Sequence, residues 1–83
     1  MASTKRTARR KALTLKELRA HRGVRQIDAA GALDTSQSLL SRLERRANLR
    51  VDTLRDYVAA LGGKLVLVAR FQREEIEIRT GEE

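Results

Sequence analysis

Cysteine is absent from the 83 residues, which rules out a disulfide framework and a thiolate metal site. That absence fits a reducing compartment. Histidine occurs once, as His21, with no cysteine and no second histidine to complete a metal centre. Near the end of a helix it reads as a surface residue in the field of the helix dipole. No apolar run is long enough for a signal-peptide core or a membrane span, so a soluble cytoplasmic chain is expected. No P-loop and no GxGxxG occurs. Ser38 and Ser41 have no base nearby to activate them, which argues against a nucleophile. The expectation is therefore no enzyme, no catalytic residue, no cofactor and no metal.

Positive charge, by contrast, is plentiful. Lys and Arg number 18 against 11 Asp and Glu, a net charge of +7 and a pI near 11.0. Such a balance points to a polyanion, with nucleic acid the default partner. The excess is uneven. Residues 1–13 hold Lys5, Arg6, Arg9, Arg10 and Lys11 and no acid, residues 14–63 are net basic, and residues 64–83 are slightly acidic. Three parts follow: a disordered basic arm over 1–13, a helical DNA-binding domain over 14–63, and a strand-forming segment for dimerisation or partner binding over 64–83. The arm reads equally as a solubilising terminus and as a contact to phosphates or a minor groove. One domain this small has a marginal core alone, and oligomerisation is a common remedy.

Local signals place four helices. Thr14 and Glu17 form a capping box before Leu15 and Leu18, and Gly23 stops the helix. A second short helix runs from Gln26 to about Leu33 over the small Ala29, Ala30 and Ala32. Asp34, tolerant of the left-handed conformation, closes it. Ser36 caps a third helix, 37–46. Asp52 or Thr53 starts a fourth, with Leu54, Tyr57, Val58 and Leu61 at helical spacing, and Gly62-Gly63 ends it. The period then changes to two. KLVLVARF and EIEIR read as strands over about 64–71 and 75–79. Leu65 and Leu67 fall on one face, Val66 and Val68 on the other, and a strand apolar on both faces wants cover on both. Two strands alone are marginal in water. Leu65, Val66, Leu67, Val68 and Phe71 are thus expected at a homodimer interface sharing one sheet. The other reading is a hairpin folded back on its own helices. The glutamates from Glu74 to Glu83 read as a solvated face or as a surface for a basic partner.

On a helical wheel, Gln37, Ser38, Ser41, Arg42 and Arg45 share one polar arc of the third helix, opposite Leu40 and Leu43. Ala47 falls with the two leucines, Glu44 at one margin, Leu39 and Arg46 at the other. Short polar side chains suit close approach to base edges. Gln pairs with adenine, Arg with guanine, Ser with either, and Leu39 is placed to meet a thymine methyl at the rim. With the preceding helix and a link of about four residues, Leu33 to Ser36, this is a helix-turn-helix. Ala30 suits a close crossing of the two helices. A generic helical hairpin with a solvated face would share the polarity alone, but not the basic total, the tight turn and the spacing together.

The order Leu18-Arg19, Gly23, Gln26, Ala30, Leu33, Ser36-Gln37-Ser38, Leu40-Ser41-Arg42-Leu43-Glu44, Thr53-Leu54 and Ala60-Leu61-Gly62 resembles the XRE, or lambda-repressor-like, helix-turn-helix family. The closing YVAALGGKLVLVARF resembles the end of HigA-type antitoxins, DNA-binding partners of ribonuclease toxins. The resemblance implies a mainly α, four-helix fold followed by a C-terminal strand or hairpin in a dimer sheet. It implies base reading by Gln37, Ser38, Ser41 and Arg42, and phosphate contacts from Gln26, Arg25, Arg45, Arg46 and Arg50. It implies an internal ion pair between Arg19 and Glu44. The chain departs from the family pattern in places. Arg25 stands where a capping Ser or Thr is usual, and is placed to reach a phosphate instead. Ala29 stands where a Leu is usual, with Ile27 expected to supply the bulk. Asp34 replaces the usual turn glycine. Asn48 is expected to take a left-handed role after the third helix, and strands replace a fifth helix.

The function expected is a homodimeric, sequence-specific repressor at a palindromic operator in double-stranded DNA, located in the bacterial cytoplasm at the nucleoid. The HigA-like ending adds neutralisation of a HigB/RelE-like toxin. A stand-alone or phage-type XRE regulator without a toxin is the alternative, and a nonspecific chromosome-coating protein is a third.

Overall fold

The computed structural model describes residues 12–80. The expectations for the basic arm therefore lie outside the described residues, except at Ala12 and Leu13. Four helices are followed by an antiparallel hairpin: α1 (Leu15–His21), α2 (Gln26–Ala32), α3 (Gln37–Arg45), α4 (Val51–Ala60), β1 (Leu67–Arg70) and β2 (Glu75–Ile78). The chain divides into a helical unit, Leu13–Leu65, and a hairpin unit that begins at Val66.

Each helix boundary has a local cause. Thr14 Oγ1 accepts from the Glu17 amide at 3.1 Å, and the Glu17 carboxylate accepts from the Thr14 amide at 2.9 Å, closing the capping box. Gly23 takes φ +72° after α1, a conformation that costs glycine little. The Leu39 amide donates to Ser36 Oγ at 3.1 Å, capping α3. Asp34 adopts φ 55° between α2 and α3, as its tolerance of that region allows.

Several boundaries differ from the sequence expectation. Helix α2 ends at Ala32 and α3 at Arg45, one residue early in each case. Helix α4 begins at Val51, before Asp52. Asp52 does not cap it, because its carboxylate is held by the Arg50 guanidinium at 2.9 and 3.2 Å. Asn48 is not left-handed; among the described residues Asp34 is the one non-glycine with positive φ. The chain leaves α3 through an extended Arg46 (φ −76°, ψ 139°), so no left-handed residue is needed there, and Ala47 is exposed rather than packed with Leu40 and Leu43.

The core sits where the helices converge, on Ala29, Ala30, Leu40, Tyr57 and Leu61, with Leu15, Leu18, Val24, Leu33 and Leu43 around it. Ile27 does not supply bulk beside Ala29. It is 52% exposed, because two positions along a helix turn a side chain most of the way to the opposite face. The small Ala29 and Ala30 instead let α2 close on Leu40 and Tyr57, the largest fully buried side chains.

In the hairpin, Leu67 pairs with Ile78, Val68 with Glu77, Ala69 with Ile76 and Arg70 with Glu75. The Phe71 amide donates to the Glu74 carbonyl at 2.7 Å and closes the turn. Both strands are shorter than expected, since pairing stops at Leu67–Ile78 and residues 64–66 remain unpaired. The register sorts the faces. Leu67, Ala69, Ile76 and Ile78 lie on one, and Val68, Arg70, Glu75 and Glu77 lie on the other.

Candidate nucleic-acid interface

Helix α3 presents two rows. The outward row is polar: Gln37, Ser38 and Arg42 are exposed, and Ser41 is half-buried. Ser41 Oγ accepts from Arg45 Nη1 at 3.1 Å, one turn on, so its own proton remains to donate elsewhere. Leu39, 54% exposed, borders a depression of about 460 Å³ with Arg42, Arg45 and Arg46. The structure thus places the four expected base-reading residues on one side of one helix, beside two further arginines, Arg45 and Arg46.

The inward row holds the helix in place. Leu40 is fully buried, and Glu44 is buried although its neighbours are basic. Arg19 of α1 donates through Nε to Glu44 Oε2 at 2.7 Å and through Nη2 to Oε1 at 3.3 Å. Its Nη1 also reaches the Val24 carbonyl at 3.1 Å. Tyr57 of α4 donates its hydroxyl to Glu44 Oε2 at 2.7 Å. The Leu15 carbonyl lies 3.1 Å from the same hydroxyl, whose single proton goes to the shorter, charged acceptor. Gln26 of α2 donates to Glu44 Oε1 at 3.4 Å. One carboxylate therefore ties α3 to the other three helices.

The protonation states follow from these contacts. Burial alone would push the Glu44 carboxyl up. Hydrogen bonds from Arg19, Tyr57 and Gln26, with the Arg19 charge, outweigh burial and hold it below the ordinary carboxylate range. The hydrogen bond to Glu44 raises Arg19 despite its desolvation. Burial raises Tyr57, and Glu44 raises it further, so its proton stays in place. No buried polar side-chain atom is left without a partner among the described residues.

The remaining expected phosphate ligands surround this face in different states. Gln26 is half-buried at the start of α2, with one amide hydrogen aimed at Glu44 and a second free. Arg25 and Arg50 are exposed, but each already holds a carboxylate. Arg25 meets Asp28 at 2.9 and 3.2 Å, and Arg50 meets Asp52. The hydrogen bond from Arg25 keeps Asp28 below the ordinary carboxylate range. Arg42 and Arg46 make no such pair among the described residues, and Arg45 is bound to a neutral hydroxyl. In the hairpin, Val66, Val68 and Phe71 are exposed and Leu65 and Leu67 half-buried, with Ile76 and Ile78 also exposed.

Tyr57 and the link from Gln26 to Glu44 are the two features that the sequence reading missed. A tyrosine at a core position carries a hydroxyl that needs a partner, and that was the available signal. Nothing local pointed to Glu44, thirteen residues away.

Comparison with known proteins agrees with this geometry. A family profile described as helix-turn-helix matches residues 15–68. Two Mycobacterium tuberculosis proteins are similar. One, named antitoxin HigA3, is 41% identical over 56 residues, covering 65% of this chain and 51% of its own. The other, named antitoxin HigA2, is 38% identical over 66 residues, covering 77% of this chain and 65% of its own. The chain thus spans between half and two thirds of their length. Two solved structures, each 38% identical, superpose well. That of DNA-bound antitoxin HigA3 has a TM-score of 0.74 over 89% of this chain and 99% of its own. That of a HigA antitoxin, described as bending DNA by unique dimerisation, has a TM-score of 0.76 over 86% and 97%. With α2 and α3 joined by a four-residue link and α3 turned outward on its polar row, the chain belongs to the XRE-type helix-turn-helix family.

Proposed function

We propose that this chain is a sequence-specific DNA-binding repressor that acts as a homodimer, and that it serves as the antitoxin of a toxin–antitoxin pair controlling its own operon. The observation that carries the reading is α3 itself, with Gln37, Ser38, Ser41 and Arg42 outward and its inward row fixed to three other helices through Glu44. A rigid helix with short polar side chains is what base reading in a major groove requires. The two DNA-associated HigA structures support the reading, since each covers nearly all of its own chain with this fold.

The base-reading set is Gln37, Ser38, Ser41 and Arg42. Arg42, Arg45 and Arg46 face the groove and its flanking phosphates without a competing carboxylate. Gln26 meets a phosphate with its free amide hydrogen, while Arg25 and Arg50 must exchange Asp28 and Asp52 for one. The hairpin supplies the dimer contact through Leu65, Val66, Leu67, Val68 and Phe71, so that two copies of α3 enter successive major grooves about 34–36 Å apart. The operator is then palindromic. The antitoxin role rests on the named relatives and on the hairpin unit, whose glutamates suit a basic ribonuclease. The chain works in the bacterial cytoplasm, carries no cofactor and has no catalytic residue; among the described residues, no helix is long and apolar enough to cross a membrane.

Selection of bound duplexes from a random pool tests the DNA reading. A palindromic consensus whose affinity falls steeply with salt is expected. Equal binding to selected and random DNA would leave only a nonspecific coating protein. Copurification with the product of the adjacent gene tests the antitoxin role. If a small basic ribonuclease fails to copurify, the reading reduces to a stand-alone regulator.

A further inference from the structure

Four large apolar side chains of the helical unit stand exposed: Leu13, Ile27, Leu39 and Val51. Only Leu39 lies on α3. It sits in the first helical turn, three residues before Arg42, and so next to it on the helix surface. Leu40, by contrast, is fully buried in the core, so the helix does not need Leu39 to hold its place. Arg42, Arg45 and Arg46 share with it the lining of one depression. An exposed apolar group bordered on one side by three cations, and on the other by a depression it shares with Leu33, Leu43 and Asp56, fits poorly against an ordinary protein surface. It fits well against a polyanion that carries an apolar group of its own.

In the major groove, the bases offer one such group, the 5-methyl of thymine. The N-terminal residues of a recognition helix are those that reach base edges. We infer that Leu39 is a specificity-determining residue that reads a thymine methyl beside the base read by Arg42, with the arginines drawing the phosphate backbone to either side. This rests on the DNA-binding reading above and adds to it a contact that is apolar, and so independent of hydrogen-bond donors and salt.

The test uses the full chain and the duplex it selects from a random pool. Each thymine of that duplex is replaced in turn by deoxyuridine, which removes the methyl and nothing else. One thymine in each half-site is expected to weaken binding about threefold to tenfold when so replaced, the size expected for one methyl removed from an apolar contact. Leu39→Ala should bind the thymine duplex more weakly by a similar factor and no longer distinguish it from the deoxyuridine duplex. Leu39→Met, a conservative replacement, should keep the distinction. Melting temperature should hardly change in either variant, since Leu39 is more than half exposed. Absence of a methyl effect at every thymine overturns the inference. So does a methyl effect that survives in Leu39→Ala. Both outcomes leave the DNA-binding reading intact. Failure to enrich any duplex overturns that reading, and this inference with it.

Discussion

Glu44→Gln keeps the shape of the side chain and removes its charge, so it isolates what the carboxylate does. In the native structure the two oxygens accept from Arg19 at 2.7 and 3.3 Å, Tyr57 at 2.7 Å and Gln26 at 3.4 Å. The substitution puts an amide nitrogen, a donor, among those donors. Arg19 is 8% exposed and would keep the Val24 carbonyl and at most one neutral amide oxygen, losing its charged partner and one of its two bonds to residue 44. Removing one partner of a buried pair costs about 3–5 kcal/mol. Tyr57 has an alternative, because it can turn its proton to the Leu15 carbonyl 3.1 Å away. The lower end, about 3 kcal/mol, is therefore expected. A domain of this size loses about 4–8 °C of melting temperature per kcal/mol, which gives a drop of roughly 12–24 °C. Thermal melts followed by circular dichroism at neutral pH measure it. Arg19→Met combined with Glu44→Met should melt well above Glu44→Gln alone, since a packed apolar pair leaves no buried charge behind. A melting temperature for Glu44→Gln within about 4 °C of the parent would refute the reasoning, because less than about 1 kcal/mol would then be at stake.

Acid should remove the same contribution. The Glu44 carboxyl is lowered in the folded chain, so its stabilisation is complete above the unfolded value, near 4.3, and is lost as pH falls through the lower folded value. Melts across that range should show the parent converging on Glu44→Gln and falling away from the Arg19→Met, Glu44→Met double variant, and a constant difference between parent and Glu44→Gln would count against the assignment. Gln37→Ala should weaken operator binding by about 1–3 kcal/mol with no change in melting temperature, and an equal loss on all sequences would mean that Gln37 reads no base. Val68→Asp places a carboxylate opposite Glu77 on one hairpin face, and should yield a monomer or an unfolded chain by analytical ultracentrifugation; an intact dimer would remove the shared-sheet proposal. Gln26→Met removes both amide hydrogens, and should lower affinity for all DNA sequences alike with at most about 1 kcal/mol lost in stability, since its bond to Glu44 is long and only part-buried. A sequence-dependent loss would place Gln26 among the base readers instead.

What could be read in the sequence was mostly what short-range chemistry decides. Thr14 with Glu17, Ser36 with the Leu39 amide, and Gly23 and Asp34 at positive φ all act within three or four residues of themselves. The outward row of α3 was legible for a similar reason: a nine-residue helix with strong polar–apolar contrast fixes its own faces. Helix α2 has seven residues and three alanines, so size marks no face, and only packing against Leu40 and Tyr57 shows that Ile27 points away. Asp52 or Thr53 looked like the start of α4, but the helix begins at Val51, one residue before Asp52, with the Asp52 carboxylate held by the Arg50 guanidinium. Asn48 suits a left-handed stop, yet α3 needed none once Arg46 ran straight into extended chain. The Tyr57 hydroxyl could be known to need a partner, but which one depends on how α4 crosses α3. That is a tertiary fact, absent from any local pattern.

The two rows of α3 divide the labour of the protein, and Glu44 shows why the division has to be sharp. A basic DNA-binding face gains nothing from an exposed carboxylate, which would repel phosphate. Placed inward, the same carboxylate becomes the one anion on which Arg19, Tyr57 and Gln26 converge. It neutralises an arginine that burial would otherwise leave unpaired, and it fixes the rotation of α3 about its own axis. In the proposed DNA complex, that rotation would decide which side chains meet the groove. A turn of about 100° would exchange Ser38 for Gln37 or Leu39 at any given base. Base reading by short side chains tolerates little such error, because Ser and Gln have no length with which to compensate. Gln26 stands where the two rows meet, with one amide hydrogen on Glu44 and one free at the start of α2. A phosphate held there would be positioned against the same carboxylate that sets the orientation of α3. Under the proposed DNA reading, the register of the backbone contact and that of base reading would both be referred to this single buried group.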